Sequence, residues 1–594
     1  MLPTPLWYIF QMGKAHTSAR EGGSKMANTR KKLPVGIENF EEIRTEGFYY
    51  IDKTGFIKDL LANWGKVNLF TRPRRFGKTL NMSMLKSFFE VGTNKSLFDG
   101  LAISQETELC TQYMGNFPVI FISLKSVSGL TFDVALENMG QVILREARRL
   151  QFLLESNRLT ELDKKPLRAL YEDEISPKNQ RNSLSLLSEL LYKHYGKKVI
   201  LLIDEYDVPL DKAYENDYYD EMAAHIRSMF ELALKTNDFL YFAVLTGCLR
   251  ISRESIFTGL NNFNVHTISD AAYDEYFGFT DDEVQTLLSD YAMETQYQTV
   301  KEWYDGYLFG KENIYCPWDV ICYAKDYLAD VTAEPLMYWA NSSSNSIIKS
   351  IIEHATGTIK EQIETLISGG VVEKELVHEL TYNDLATEDP DERLTYLWSI
   401  LYTTGYLTDA ERTTKRLHKL VIPNMEVQQI FEKQIRVWFN RLVKSDTRKL
   451  QAFCFALKTG NADELQTRFN EYLLNSISIR DTYTRKDMKE NFYHGVLVGL
   501  LSSESSWIVK SNTESGNGYS DILIEIPAEK IGCIIVVKYA ENRNFDAMCA
   551  KALKQTDDTH YTSKLRLDGM KTIHIYGIAC HLKECQVVYK KIEL

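Results

Sequence analysis

Four short apolar runs, at residues 67–70, 117–123, 198–203 and 239–245, are separated by long stretches with helical apolar periodicity, including 183–195 and 217–235. Unbroken apolar runs of this length suit central parallel strands buried on both faces, and the stretches between them supply helices to cover those faces. The alternation predicts an α/β domain over about residues 35–270, with ligands bound beyond the carboxyl ends of its strands. Residues 271–440 read as a largely helical, aromatic-rich lid and accessory region. Within it, Tyr396 to Leu407 reads as a helix and short strand, followed by a polar turn with Arg412 and Lys415, the strand Lys419 to Ile422 and a helix from Glu426. That order is winged-helix-like. Its supposed recognition helix carries almost no positive charge, which favours packing on the first domain over contact with DNA. Residues 441–505 read as a helical connector ending in the apolar segment His494 to Leu501. From 506 to 594 the pattern changes to strands at 507–510, 520–526 and 532–539, a helix near 545–560 and a last strand at 572–579, a second α/β domain.

Candidate chemistry sits at the ends of three strands. Arg72-Pro73-Arg74-Arg75-Phe76-Gly77-Lys78-Thr79 follows the run Val67 to Phe70 and precedes a helical stretch, Leu80 to Glu90. This is the setting of a Walker A loop, in which backbone N–H groups cradle phosphate, Lys78 reaches the β/γ-phosphates and the Thr79 hydroxyl holds Mg²⁺. Arg72 stands where the first glycine belongs, so Gly77, Lys78 and Thr79 carry the signal. Three neighbouring guanidinium groups cannot all point inward; one is expected to contact nucleotide, with Arg74 and Arg75 the candidates, and the others of the three to pair with acids such as Asp52 or face solvent. Val199 to Ile203 ends in Asp204-Glu205, a Walker B arrangement with Asp204 near Mg²⁺ and Glu205 orienting and deprotonating the attacking water. A solvated acidic turn is the bland reading, and the upstream Gly-Lys-Thr outweighs it. The third strand, Phe239 to Leu245, leads into Thr246, placed to sense the γ-phosphate, and on to Arg250 and Arg253, either of which suits transition-state charge. Taken singly, such residues are more often ordinary loop residues.

These segments, with Tyr50 to Thr54, Arg72 to Leu80, Leu202 to Asp207 and Thr246 to Phe263, resemble the predicted AAA-ATPase-like family of bacterial proteins. The resemblance continues through Trp303 to Tyr307, Tyr315 to Trp318 and Ile422-Pro423-Asn424, so it covers most of the chain after about residue 34. The arginine-rich loop is that family's own form of Walker A. The resemblance implies a P-loop NTPase sheet that binds ATP with Mg²⁺ and hydrolyses it, joined to a C-terminal restriction-endonuclease-like domain.

The C-terminal order, with Glu514, Asp521 and Lys538, resembles the PD-(D/E)XK nuclease core. Such a site needs two acids to hold Mg²⁺ against the scissile phosphate and a lysine sharing a strand face with the second acid. Alternation puts residues 536 and 538 on one face, so the second carboxylate belongs at 536. Val536 stands there. Asp521 remains as a metal ligand, Glu525 alternates onto its face as a substitute or a surface charge, and Gln555 and Tyr561 fit the nuclease-associated glutamine–tyrosine pattern. The expected function is an ATP-driven switch coupled to a nuclease-like, cleavage-deficient module that engages DNA or RNA. Its rival is an ATP-regulated scaffold whose degenerate nuclease-like fold binds a protein.

Composition narrows this picture only slightly. The 594 residues are too many for one core. A formal charge of −12 argues against a whole-surface nucleic-acid footprint while leaving room for a local basic groove. No run of about 18 apolar residues is long enough to span a membrane. The nine scattered cysteines form no C-x-x-C pair and read as reduced thiols of a cytoplasmic protein. Residues 1–34 are expected to be a disordered extension, with Met26 an alternative start, and Trp303, Tyr304, Tyr307 and Trp318 read as core in preference to base-stacking platforms. A homo-oligomer is allowed by the sequence and not indicated by it.

Overall fold

The computed structural model describes the chain outside residues 1–29, 172–174, 250–256, 258–262, 340–361, 364, 368, 378–389, 412–416, 433–446, 477–485, 502–503, 505, 512–520, 559–560 and 594. Most of the expected disordered extension therefore lies outside the described residues, as do Arg250, Arg253, Arg412, Lys415 and Glu514.

The first layer is a parallel sheet of β1 (Val67–Thr71), β2 (Val119–Ser123), β3 (Val199–Asp204), β4 (Leu240–Gly247) and β5 (Phe263–His266) in the order β2-β3-β4-β1-β5. Alternation divides each strand between two cores. Val67, Leu69, Leu201, Ile203 and Leu245 pack with the helices Phe132–Arg149 and Pro177–Tyr195, whereas Phe70, Ile200, Leu202 and Val244 pack with the helix Lys78–Phe89. β4 lies between β1 and β3, so the ends of all three strands come together on one edge. β5, four residues long and only partly apolar, gives too weak a pattern to stand out in the sequence.

Two small antiparallel sheets follow. β6 (Phe279–Thr280), β7 (Tyr307–Phe309) and β8 (Glu312–Tyr315) pair in the order β6-β8-β7. β9 (Val372–Glu375), β10 (Thr408–Asp409) and β11 (Leu417–Val421) pair in the order β10-β11-β9, beside the helix Pro390–Thr403. Helices still predominate among the described residues of 271–440; most of these short strands escaped the sequence reading because strands of two to five residues show no usable periodicity, and their aromatic residues serve equally well in helices. Tyr304 and Tyr307 are buried core side chains, as expected.

The C-terminal sheet comprises β12 (Ile508–Ser511), β13 (Asp521–Ile526), β14 (Ile531–Tyr539), β15 (Thr572–His581) and β16 (Glu584–Glu593), paired in sequence order. Only the β14–β15 pair is parallel. The helices Thr447–Thr459, Ala462–Ser476 and Lys486–Leu501 share one core with Ile522, Ile524, Ile535 and Val537. On the other face Leu523, Ile534 and Val536 meet Ala552 of the helix Phe545–Asp558. The reading of 572–579 as the last strand is corrected by β16, whose charged Glu584, Lys590, Lys591 and Glu593 disguise an edge strand that is buried on one face only.

The P-loop is tied into the accessory region. Phe76 is fully buried, belongs to the same core as Tyr307, Phe309, Trp339 and Leu401, and meets the Tyr307 ring edge-on at 4.9 Å. Trp339 Nε1 donates to the Arg74 carbonyl at 3.2 Å, and a Cβ on Gly405 would stand 2.9 Å from Pro73. Replacing a buried Phe by Ala typically costs about 3–5 kcal/mol. Phe76→Ala is therefore expected to lower the thermal midpoint and speed amide exchange across residues 72–79 and 307–315, while the C-terminal sheet exchanges at its wild-type rate. Hydrogen-exchange mass spectrometry checks this, and unchanged exchange at 72–79 would show that the anchor does not hold the loop.

Candidate functional site

The helix Lys78–Phe89 starts directly after Gly77, whose φ of 80° turns the chain so that the helix N-terminus faces the strand ends. Arg75 also lies in the left-handed region, at φ 72°, a conformation that β-carbons disfavour. Lys78 is almost fully buried, and its Nζ donates to the carbonyls of Arg72 (3.1 Å) and Pro73 (3.0 Å) and lies 3.5 Å from Cys248 Sγ. Burial lowers its pKa, but the acidic side chains of Cys248, Glu205, Asp207 and Asp204 outweigh this and hold it above the usual lysine value.

Asp204 ends β3 and is fully buried. Its Oδ2 accepts hydrogen bonds from Thr79 Oγ1 (2.9 Å) and Ser123 Oγ (3.3 Å), and its Oδ1 accepts one from Thr246 Oγ1 (2.6 Å). Burial raises its pKa against these donors. Glu205 follows at φ 52°, half-buried, with its N–H directed to Thr246 Oγ1 at 3.4 Å. Non-glycine residues held there cost of order 1–3 kcal/mol and cluster at functional sites. The turn aims Glu205 into a cavity of about 360 Å³ lined also by Arg74 to Asn81, Lys125 and Lys212.

The three arginines separate. Arg72 is fully buried; its Nη atoms donate to the carbonyls of Thr71 (2.8 Å), His266 (2.9 Å) and Tyr273 (3.2 Å), and its guanidinium lies over the rings of Phe277 and Phe309. Burial pulls it down to about 10. Arg74 pairs with Asp211 at 3.4 Å, and Arg75 stacks on Trp318 at 4.4 Å. Asp52 is no arginine partner. It accepts instead from Thr54 N, Thr54 Oγ1 and Ala102 N.

Sequence reasoning missed Ser123, Asp207 and Cys248. Asp207 Oδ2 accepts the N–H groups of Cys248 (2.7 Å) and Leu249 (2.8 Å), pinning the segment after β4, and burial pushes its carboxyl up to about 6. An acid three residues after Asp204, just past the end of the same strand, is the signal that could have found it.

At the C-terminal sheet, Asp521 pairs in register with Val536, and its side chain lies outside the described residues. Val536 is fully buried among Leu523, Ile534, Ala552 and Leu565. Lys538 is buried and lies 3.3 Å from Glu490 Oε2; Glu490 Oε1 also accepts the Tyr539 N–H at 3.2 Å. Glu490, on the helix Lys486–Leu501, is an acid the sequence reading did not single out. Both readings of Glu525 are corrected: it is buried, so not a surface charge, and it pairs with Lys510 at 2.5 Å about 13 Å along the strand from Asp521. Gln555 sits half-buried on the helix Phe545–Asp558; the Tyr561 side chain lies outside the described residues.

With this geometry in view, two comparisons bear on the chain. Residues 34–257 match the family model described as predicted AAA-ATPase, and residues 488–590 match that of the PD-(D/E)XK nuclease superfamily. An AAA-ATPase-like unit precedes a nuclease-like one. A protein of Azotobacter chroococcum mcd 1, described as an uncharacterized protein in the vnfD 5' region, is 24% identical over 563 residues, 93% of this chain and 96% of that one. That similarity thus runs through both matched segments and the region between them. Among the described residues no helix is long and apolar enough to cross a membrane, and no group of three or more His, Cys, Asp or Glu side chains is poised around a metal.

Behind the cavity wall, Asp319 is fully buried beside Cys316 and Glu426, and burial pushes its carboxyl up to about 7 from an ordinary 3.8. A raised folded-state pKa gives stability that is complete below the unfolded value and is lost as pH rises through the folded one. Wild type is therefore expected to lose thermal stability between pH 5 and 8, and Asp319→Asn to lose much less. Parallel melting curves at both pH values check this; the same pH dependence in both proteins would show that Asp319 holds no proton in the fold.

Proposed function

We propose that this protein is an ATP-binding, ATP-hydrolysing switch coupled to a nuclease-like module that engages DNA or RNA without cleaving it efficiently. The convergence of Thr79, Ser123 and Thr246 on Asp204 supports the first half, because it joins the Gly-Lys-Thr loop and the Asp-Glu strand end at one carboxylate. Lys78, now held by P-loop carbonyls, exchanges them for β/γ-phosphate oxygens; Gly77 and the neighbouring N–H groups cradle the phosphates. Thr79 and Asp204 are hard oxygen donors, which fit Mg²⁺, and the ion when bound neutralises charge on the β- and γ-phosphates. Glu205 orients and deprotonates the attacking water, Thr246 senses the γ-phosphate, and Arg250 meets the transition-state charge. Arg74 and Arg75 are the loop cations available to nucleotide; Arg72 is committed to three carbonyls.

Lys78→Ala and Asp204→Ala are expected to abolish tight Mg-ATP binding, whereas Glu205→Gln binds ATP and turns it over about 10²-fold or more slowly. Calorimetry and phosphate release separate the two classes. Wild-type turnover by Glu205→Gln would refute the assignment of the base.

Retention of Asp521, Lys538 and Gln555 supports the nucleic-acid reading, with Glu514 assigned alongside them and Asp521 as the remaining metal ligand. One observation favours the scaffold alternative: Val536 completes an apolar cluster where the second acid belongs. A carboxylate introduced there is costly to bury unless a cation accompanies it. Val536→Glu is therefore expected to lower the stability of the C-terminal sheet without metal, to recover it with Mg²⁺ or Mn²⁺, and to gain plasmid cleavage that Val536→Glu/Asp521→Ala lacks. A folded Val536→Glu protein with no metal response and no cleavage, from a wild type that binds no nucleic acid, favours the scaffold.

A further inference from the structure

The ladder between β3 and β4 ends at Ile203 and Leu245, while β4 runs on to Gly247. Residues 246–249 are held to the end of β3 by other means. The Thr246 hydroxyl donates to Asp204 and faces the Glu205 N–H, and the Thr246 carbonyl accepts the Tyr206 N–H at 3.0 Å. Tyr206 OH donates to the Leu249 carbonyl at 2.6 Å, and Asp207 Oδ2 takes the N–H groups of both Cys248 and Leu249. Asp207 does this from the start of the helix Val208–Glu215, where an aspartate side chain ordinarily caps its own helix. It makes no such cap: Pro209 has no N–H to offer, and those of Leu210 and Asp211 go to the Asp207 main-chain carbonyl. The approach is also close. A Cβ on Gly247 would stand 2.8 Å from Asp207 Oδ1 and 2.6 Å from the Tyr206 ring, so the side chains of 206 and 207 fit only against glycine.

We infer that Asp207 is a positioning residue for ATP hydrolysis, which fixes residues 246–249 to the end of β3 and thereby keeps the Thr246 hydroxyl between Asp204 and Glu205. This deepens the hydrolysis reading above and rests on it. Asp207 does not line the cavity, so it acts through Thr246 and Glu205 and touches neither phosphate nor water. Glu205 is held at φ 52°, a conformation that persists only where the surroundings over-determine it. Its N–H points to Thr246 Oγ1, and the place of that hydroxyl depends on where the end of β4 is clamped. The clamp requires an acceptor at position 207 and not a charge: an asparagine amide oxygen can take both N–H groups as the carboxylate does, whereas alanine releases them.

The test uses the full chain with Mg-ATP and separates binding from chemistry by calorimetry and single-turnover hydrolysis. Asp207→Ala and Gly247→Ala are each expected to slow the single-turnover rate about tenfold or more with the ATP Kd changed less than about threefold, and Asp207→Asn to stay within about threefold of wild type in both. A general loss of structure would instead weaken ATP binding in step with the rate, and that result overturns the inference. So does wild-type turnover by Asp207→Ala, and so does an Asp207→Asn protein as slow as Asp207→Ala, which would assign the carboxylate charge a direct part in the reaction. If Asp207→Ala does not fold, as judged by its melting curve, Tyr206→Phe removes only the bond to the Leu249 carbonyl; a slowed rate at unchanged ATP Kd then supports the clamp, and a wild-type rate overturns it. Wild type that binds ATP and releases no phosphate overturns the hydrolysis reading itself, and this inference with it, whereas an active wild type beside an equally active Asp207→Ala overturns this inference alone.

Discussion

A carboxylate removed from water either finds donors or takes up a proton, and Asp204 is placed where three hydroxyls can reach it. Each hydroxyl comes from a different element: Thr79 from the helix after β1, Ser123 from β2 and Thr246 from β4. Registration of Ser123 with Asp204, and of Thr71 with Gly247, brings these strands to a common level. The order β2-β3-β4-β1 is thus what makes the site, since β4 between β1 and β3 delivers Thr246 to both the Asp204 carboxylate and the Glu205 N–H. Loss of that shared carboxylate would leave three hydroxyls, two of them on buried strand ends, to find new partners.

The loop over residues 72–79 in turn is braced from outside the sheet. A glycine at position 72 would leave the carbonyls of His266 and Tyr273 without the guanidinium that now joins β1 to the chain after β5. The positions that require unusual backbone geometry here are 75 and 77, and only the second is glycine. Arg75 tolerates its left-handed conformation because its side chain is stacked on Trp318 and Phe76 beside it is locked into the accessory core. The loop that would hold phosphate is therefore also a piece of the accessory region's packing, and a shift of one implies repacking of the other.

The β1, β3 and β4 runs, the strand-to-helix turn at Gly77 and the α/β class were legible because buried parallel strands and a glycine turn leading into a helix each impose a local pattern. What was illegible depends on distance in sequence. Nothing local announces that Ser123 meets Asp204, that Asp207 caps the chain 41 and 42 residues on, or that Glu490 reaches Lys538. Arg72 was misleading for the opposite reason: its local context suggested an acid's partner or a surface charge, and only the fold shows the carbonyls of His266 and Tyr273 beside it. Short strands such as β6, β7 and β10 escaped because two or three residues cannot display a period of two.

The C-terminal unit shows how a buried lysine is balanced when the register position opposite Asp521 is apolar. Lys538 is buried, and a buried ammonium without a partner is strongly disfavoured. With Val536 in the register position opposite Asp521, the carboxylate at Lys538 comes from Glu490, on a helix that packs against the same sheet. The valine contributes apolar contacts to Leu523, Ile534 and Ala552, and the glutamate satisfies both the lysine and the Tyr539 N–H. Selection for fold stability alone would tolerate this arrangement. It also leaves acidic oxygens of Glu490 within reach of the lysine that a nuclease would use, so the fold keeps a charged centre at the end of β14 that an apolar scaffold surface would not need.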